Sequence, residues 1–456
     1  MSGKYLLKRI ILLFPGLFMV VFLAFLLKNL VPGDPVETIM LNRGMSWQDA
    51  ALRTSEYSKI YISEGLDKPL FYFSVLPDHY PPNIRSITHP EQKKEISFLL
   101  KNGYPYPNIL EFLNLKNNLE KNGSSPNALD PADSLVNLIL QKEPFPEKAL
   151  SAILAEKWTG NTRPTSCIQI LENMISNRKS WFLPSFHFYG TNNQFHDYFK
   201  GLLNLDFGLS SKDGKKVTNK IFSALKWTST LVFFSMMILA IVSIPLGLWS
   251  GRYENGKLDV WTANMSIILY AIPVFWLASM LIIFCTTDQY GWWLHIFPSV
   301  GTWYDVPGSS FLQNLAKHAS QLILPVLCMV ANDFAFLIRL IKKQTIEQKH
   351  QLYVKMAIAK GLDEKSILTR HILPNVGIQI LSVFTGSIPA AFAGSLIVEV
   401  IFNIPGMGRL LYHSINSSDW NVVFGILIVL AFLTIMINIV GDFMYVRLNP
   451  KISYHD

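Results

Sequence analysis

Cysteine is scarce in this chain. Cys167, Cys285 and Cys328 are the only three in 456 residues; they lie far apart, two of them inside apolar runs. That spacing supports neither a disulfide framework nor a thiolate metal site. Charge is scarce as well: Asp, Glu, Lys and Arg make up 16% of the residues, against roughly 25% in an ordinary globular chain. There is no H-E-x-x-H, no G-x-S-x-G and no pair of intramembrane aspartates, so the familiar hydrolase chemistries have no residues to run on. Nor is there a basic arm, a zinc knuckle or an aromatic RNA-binding strand, and the net charge of +8 does not read as a nucleic-acid footprint. One stretch, SGRYENGKLD at 250–259, comes close to a Walker A loop: Gly251, four residues, Gly256 and Lys257. The position that needs a Ser or Thr hydroxyl for Mg²⁺ is Leu258.

Apolar residues are what the chain has in excess. Half of it is hydrophobic, concentrated in six runs of a length that suits a bilayer, at about 9–31, 227–250, 261–285, 320–341, 375–393 and 421–446. Hydrocarbon offers no partner to backbone N–H and C=O groups, so each run is predicted to be an α-helix and the fold class is an all-α integral membrane protein. The basic start followed by an apolar stretch has the look of a signal peptide. The stretch 10–27 is nonetheless longer than the usual signal core and no small-x-small cleavage site follows it, so an uncleaved first span is expected. Pro15, Pro245, Pro273, Pro325 and Pro389 lie inside the runs, which fits either a path through the bundle or kinks that serve packing.

Lys and Arg are unevenly shared between the two sides. Lys4, Lys8 and Arg9, then Arg252 and Lys257, then the basic stretch 339–370, then Arg447 and Lys451 fall on one side, while the short loops opposite carry only Lys317 and Arg409. The positive-inside rule then puts both termini in the cytoplasm, with loops 251–260 and 342–374 inside and 32–226, 286–319 and 394–420 outside. On this topology the Walker-like stretch is a short inner turn between two spans. A phosphate loop needs a buried strand feeding a turn in a soluble α/β domain, and none surrounds it.

The inner segment YVKMAIAKGLDEKSILTRHILPN, 353–375, is basic and amphipathic, with Ala357, Ile358, Leu362, Ile367 and Leu368 available for an apolar side. A segment of this kind can lie on the membrane, pack on its own bundle or offer a helix to a partner's groove. It resembles the loop motif of ABC importer permeases, E-A-A, three residues, G, nine residues, I-x-L-P. It is closer still to D-Y-V-R-T-A-R-A-K-G-L, the version in the dipeptide and oligopeptide (binding-protein-dependent) importer family. Counted back from Gly361, Lys355, Met356 and Ala357 stand where E-A-A would be; counted forward, His371 replaces the Ile while Leu373 and Pro374 match. Further matches follow in family order. LVPGDP at 30–35 resembles L-x-P-G-D-P, EGLDKPL at 64–70 resembles Y-G-L-D-x-P-L, and YFKGLLNLDFGLS at 198–210 resembles W-L-x-x-L-L-x-G-D-L-G-x-S. VEVIFNIPGMGRLL at 398–411 resembles V-E-x-V-F-x-x-P-G-x-G-x-L-L, and 442–451 is similar to the closing D-x-x-Y-x-x-x-D-P-R.

The resemblance implies the ABC importer type I permease fold with six transmembrane helices. It implies that Ala357 and Gly361 are close-packing positions where a separate ATP-binding subunit docks, and that Leu373 and Pro374 fix the loop's return to the membrane. ATP is then used by partner subunits, with no catalytic residue, cofactor or metal on this chain. The expected partners are a second homologous permease subunit, two ATP-binding subunits, an extracytoplasmic solute-binding protein and membrane lipid. The function implied is a transport subunit, not an enzyme, in the bacterial inner membrane, carrying short peptides or related small solutes. The alternatives are a permease for nickel chelates, glutathione or another non-peptide solute and, from a different class, a secondary transporter, for which the internal repeat expected of that class is not evident.

Three domains are expected: 1–70 with the first span, a mostly helical extracytoplasmic insert at 71–197 where family members pass directly on, and the permease core 198–456. Within the insert, PNILEFLNLKNNLEK, DPADSLVNLIL and PEKALSAILAEKW read as helices, with Asp130 as an N-cap before Pro131, Pro146 opening the next, and Leu135, Leu138, Ile139 and Leu140 on a buried side. A docking surface for the binding protein and a structural cap are both open for it. His187 and His196 have no thiolate or carboxylate beside them at ligand spacing and read as loop polarity. Two acids in apolar runs remain as candidates for the translocation path or a gate. Asp333 either meets a solute cation or makes an interhelical hydrogen bond; Glu399 is expected to serve a gate or packing role.

Overall fold

The computed structural model describes residues 3–44, 50–121, 184–288, 295–298 and 310–448, with 170, 173, 176, 177 and 303. Asp130, Pro131, Leu135, Leu138, Ile139, Leu140 and Pro146 lie outside the described residues. The chain divides into two compact units, Met1–Pro32 with Gly201–Asp456, and Gly33–Lys200.

Among the described residues of the first unit, four helices are long and apolar enough to cross a membrane, at Leu13–Leu30, Val217–Arg252, Glu364–Ile401 and Trp420–Arg447. Two bent pairs bring the number to six if each pair is one span. These are Lys257–Ala271 with Val274–Cys285, bent by 96°, and Ala319–Ala331 with Asp333–Lys349, bent by 47°. We call the helices of this unit α1 (Gly3–Leu30), α7 (Val217–Arg252), α8 (Lys257–Ala271), α9 (Val274–Cys285), α10 (Phe311–Lys317), α11 (Ala319–Lys349), α12 (Leu352–Ala359), α13 (Glu364–Ser366), α14 (Leu373–Ile401), α15 (Met407–Asn416) and α16 (Trp420–Leu448). The run 261–285, expected as one helix, is two. Ile272 before Pro273 takes φ −88° and ψ 118°, the extended conformation that proline forces on its predecessor. Pro15, Pro245, Pro325 and Pro389 stay inside continuous helices.

α7, α11 and α14 make the core, with Trp227, Leu231, Leu337, Ile341, Val376 and Val398 buried in one cluster. α7 and α11 approach closely because α7 carries glycine where they meet. A Cβ on Gly251 would stand 2.7 Å from the Thr345 Cβ and 2.9 Å from the Lys342 carbonyl oxygen, the small-residue packing on which helices rely where no hydrophobic effect drives them together.

The second unit holds α2 (Pro35–Asn42), α3 (Ala50–Ser63), β1 (Phe73–Pro77), α4 (Pro90–Lys101), α5 (Tyr106–Lys121), β2 (Pro184–Phe188) and the start of α6 (Gln194–Leu203). Asp34 explains the P-G-D-P stretch: its carboxylate accepts the Val36 N–H at 2.8 Å as N-cap of α2 and the Tyr57 hydroxyl at 2.6 Å, with Pro35 in the first turn. The insert was expected to be mostly helical. Its described part adds an antiparallel ribbon that joins its two ends, pairing Phe73 with Phe188 and Pro77 with Pro184. Beside the ribbon, Gln194 N–H and Phe195 N–H donate to the Pro69 and Leu70 carbonyls, and Lys68 pairs with Asp197 at 2.6 Å. The stretches before and after the insert are thus stitched directly together. An insertion whose ends meet leaves the surrounding path of the chain undisturbed.

Candidate functional site

The segment 349–374 is built from residues that stop helices at set points. α12 ends in a Schellman motif: the Gly361 N–H donates to the Ile358 carbonyl at 2.9 Å and the Leu362 N–H to the Ala357 carbonyl at 3.3 Å. This closure requires a left-handed residue, and Gly361 has φ +74°. Asp363 then caps α13 by accepting the Ser366 N–H at 3.1 Å. A π-helical turn, Ile367–Ile372, leads into α14, whose first turn contains Leu373 and Pro374. A proline has no N–H to give there, and the first turn of a helix is where that loss costs least.

The two sides of α12 differ. Val354 and Ala357 are buried in the chain's own core together with Ile367 and Leu368, whereas Leu352, Met356 and Ile358 are 77%, 61% and 60% exposed. Ala357 therefore packs inward. The apolar surface left open on this helix belongs to its neighbours in sequence. Gly361 is exposed, and a Cβ placed on it would meet no atom within 4 Å. Tyr353 holds the base of the helix to the start of α14, donating to the Gln348 side chain at 2.7 Å and accepting from Asn375 at 3.2 Å; burial pushes its phenol pKa up.

The Walker-like turn lies against this segment. Asp259 fills the turn from within, accepting from Ser250 Oγ at 2.6 Å and the Asn255 N–H at 2.9 Å and pairing with Lys342 at 2.6 Å. A phosphate would find a carboxylate where a P-loop offers free amides. Lys257 is exposed in the first turn of α8. Lys349 donates to the Arg252 carbonyl at 3.0 Å, capping α7, and to Glu254 at 3.3 Å, while Arg252 pairs with Glu364. The turn therefore ties the start of the 349–374 segment, at Lys349, and its middle, at Glu364, to the end of α7, while Asp259 of α8 holds Lys342 on α11.

Glu399 is fully buried near the end of α14 and completely engaged. It accepts from Thr228 Oγ1 at 2.7 Å on α7, from Ser395 Oγ at 2.9 Å, and from the Gly408 and Arg409 N–H groups at 2.7 and 3.1 Å in the first turn of α15. Thr228 Oγ1 accepts the Met407 N–H in turn at 2.8 Å. One carboxylate thus caps a helix N-terminus and joins three helices. The P-G-M-G stretch leaves room for it. A Cβ on Gly406 would lie 2.4 Å from the Glu399 carboxylate, and one on Gly408 2.4 Å from the Leu396 Cα.

Asp333 has opposite surroundings. It lines a cleft of about 120 Å³, bounded by Val274, Met329, Ser387, Ala390, Ala391, Gly394 and Val398. Val274 opens α9 just past the proline break, Asp333 follows the bend of α11, and Ser387 to Gly394 flank Pro389. Three span irregularities therefore face one space, and its acid makes no hydrogen bond or ion pair with any described residue. The structure does not bring together Asp333, Glu399 and the 349–374 segment; they are three separate places in one bundle.

Sequence reading missed the Asp259 clamp, although Lys342 and Asp259 lie at the ends of adjacent runs. It also missed the ribbon, which alternating FYFSV and PSFHF could have revealed through their period of two. His187 sits on that ribbon opposite Ser74, and His196 Nδ1 lies 3.2 Å from the Tyr72 hydroxyl. Among the described residues no group of three His, Cys, Asp or Glu is placed to hold a metal.

The family model for the binding-protein-dependent transport system inner membrane component matches residues 243–454. The sequence is 34% identical over 274 residues to the inner membrane ABC transporter permease protein YejB of Escherichia coli O157:H7, across 59% of this chain and 74% of that protein. It is 31% identical over 271 residues to the oligopeptide transport system permease protein AppB of Bacillus subtilis (strain 168), across 58% of this chain and 83% of that protein. A solved chain of the MetNI methionine ABC transporter, in an inward-facing form, aligns with 50% of this chain and 96% of its own length at TM-score 0.39 and 17% identity.

Proposed function

This chain belongs to the binding-protein-dependent transport system inner membrane components, a multi-pass permease subunit of an ATP-driven importer without an ATPase site of its own, and we propose that it carries short peptides through the cleft at Asp333. The observation that carries this reading is the convergence of the broken span, the bent span and Pro389 on one open cleft beside an intramembrane acid, the place where irregular spans line a path. The peptide class is supported by the names of the relatives, one of which is an oligopeptide transport permease. Uptake of a labelled tripeptide into proteoliposomes holding the assembled importer tests it. Accumulation that requires ATP and the solute-binding protein is expected; accumulation driven by an ion gradient without ATP belongs to a secondary transporter, and transport of a nickel chelate or glutathione in preference to peptides moves the substrate elsewhere.

Coupling runs through the open face of α12. Leu352 and Met356, one turn apart, with Ile358 at the far edge of the exposed arc, present apolar surface that an ATP-binding subunit covers, while the Schellman turn at Gly361 and the return at Leu373 and Pro374 set its angle. The clamp of Lys349, Arg252, Glu364 and Asp259 carries the push into α7 and α8, so that closure of the ATPases rocks the spans as rigid bodies. ATP is bound by the partners, a pair of ATP-binding subunits working with two permease subunits. Both termini and the 349–374 segment face the cytoplasm, in line with the excess of Lys and Arg on that side. Reaction of a cysteine at Lys257 with an impermeant reagent from the cytoplasmic face alone is the expected result for this orientation; labelling from outside reverses it.

A further inference from the structure

We propose that the Asp333 cleft is a cation-recognition site that selects solutes by a positively charged nitrogen, an inference that deepens the transport reading above and rests on it for the identity of the solute. The cleft is lined by apolar and small residues, with Ser387 as the one other polar side chain and no Lys, Arg or His among the lining residues. A second, smaller space shares Asp333 and Ser387 and is otherwise closed by Leu239, Phe336, Leu337, Val383 and Phe384. The carboxylate therefore faces the cleft without a hydrogen bond or ion pair to any described residue. A charged group inside a membrane span persists where it faces a cavity or a partner, because the apolar surroundings otherwise penalise it. Here the surroundings supply the cavity.

A protein acid kept for packing looks different, and the same chain supplies the contrast: Glu399 is met by four donors at 2.7 to 3.1 Å. The chemistry that completes Asp333 is an ammonium or guanidinium on the passing solute, held by a charge-assisted hydrogen bond in a site of low dielectric. Ser387 lies on the facing helix as a further acceptor for the same group. Neighbours as small as Ala390, Ala391 and Gly394 leave the rest of the space open to side chains of different size. Such a site discriminates by charge and tolerates variation in bulk.

Two measurements on the full importer test the proposal. In the first, Cys167, Cys285 and Cys328 are replaced by alanine, Ser387→Cys is introduced, and its rates of reaction with a cationic and an anionic methanethiosulfonate reagent are compared. The cationic reagent is expected to be favoured, and Asp333→Asn to reduce that preference about tenfold or more. Equal rates for the two reagents, or a preference that Asp333→Asn leaves unchanged, overturns the proposal. The second measures uptake of trialanine, N-acetyl-trialanine and N-acetyl-Ala-Ala-Lys. Trialanine is expected to be carried about tenfold better than its acetylated form, with the gap closing in Asp333→Asn. Recovery with the lysine peptide assigns recognition to any ammonium, and its absence to the N-terminal one. Equal uptake of trialanine and its acetylated form overturns the proposal. If the cysteine experiment shows the cation preference while no peptide is carried, the peptide reading falls and the cation site stands.

Discussion

Glu399 and Asp333 are both acids in apolar helices of one bundle, yet they solve the problem of a membrane-embedded carboxylate in opposite ways. Glu399 is saturated by two hydroxyls and two backbone amides drawn from α7, α14 and α15. Asp333 is met by nothing among the described residues and opens on a cleft. A saturated acid fixes helices relative to one another, since moving any of them strands a buried donor. An acid left unanswered adds nothing to the folded state and is free to interact with whatever enters. The comparison teaches that the cost of burying charge is offset within the fold at one place and, among the described residues, left unanswered at the other.

Breaking the saturated site should have the largest effect. Glu399→Ala orphans the Thr228 hydroxyl and two amides of α15 at once, and a loss of about 3 kcal/mol or more of stability is expected, seen as aggregation or a fall in Tm of the detergent-purified permease. Gly408→Ala should be as severe, because the added methyl meets the Leu396 backbone, which cannot swing away; Gly406→Ala should be severe as well, because its methyl displaces the Glu399 carboxylate from its donors. Asp333→Asn should reverse the pattern, with Tm unchanged or raised by about 1 kcal/mol equivalent while ATP-dependent uptake falls. If Asp333→Asn unfolds the protein and Glu399→Ala does not, the division between structural and recognition acid is wrong.

A second contrast sharpens the coupling segment. Gly361→Arg strains a residue at φ +74°, so its loss of ATPase association mixes docking with a damaged helix end, of about 1 kcal/mol from the backbone alone. Met356→Glu and Ile358→Glu change only the open face. They are expected to reduce copurification of ATP-binding subunits tenfold or more with no shift in permease Tm, and normal association in both variants removes the open face from the dock.

Much of the membrane unit was legible because its rules are strict. Six runs of apolar residues and an uneven spread of Lys and Arg leave few alternatives to a six-span helical bundle. Gly361 and Pro374 were legible as punctuation because each has a backbone property no other residue shares. Ala357 was harder: periodicity says a helix has an apolar side, and it does not say whether that side meets its own core or a partner, and in α12 both sides are apolar. The four donors on Glu399 come from residues up to 171 positions apart, a distance over which sequence patterns say nothing. Asp333 was visible as an anomaly, but whether it was answered depended on what three other helix segments placed opposite it.

The smallest effect is expected where an acid is partly in water. Asp213, outside the spans, pairs with Lys220 at 2.8 Å with its side chain 35% exposed. Burial pushes its pKa up, but the hydrogen bonds and charge of Lys220 together with the Lys215 N–H outweigh that and hold it below the usual 3.8. A carboxylate with a lowered folded-state pKa stabilises the protein above its unfolded pKa, and the contribution is lost as the pH falls through the folded value. Asp213→Asn should therefore cost about 0.5 kcal/mol or less at neutral pH, a difference that shrinks on acidification below 3.8. The effect stays small because Lys220 keeps Ser210 Oγ at 2.8 Å, itself donating to Asp419 at 2.5 Å, when Asp213 is neutralised. A cost as large as that of Glu399→Ala, persisting at low pH, would mean that half-exposed and buried acids are bound into this fold alike, and that saturation by donors is not what separates them.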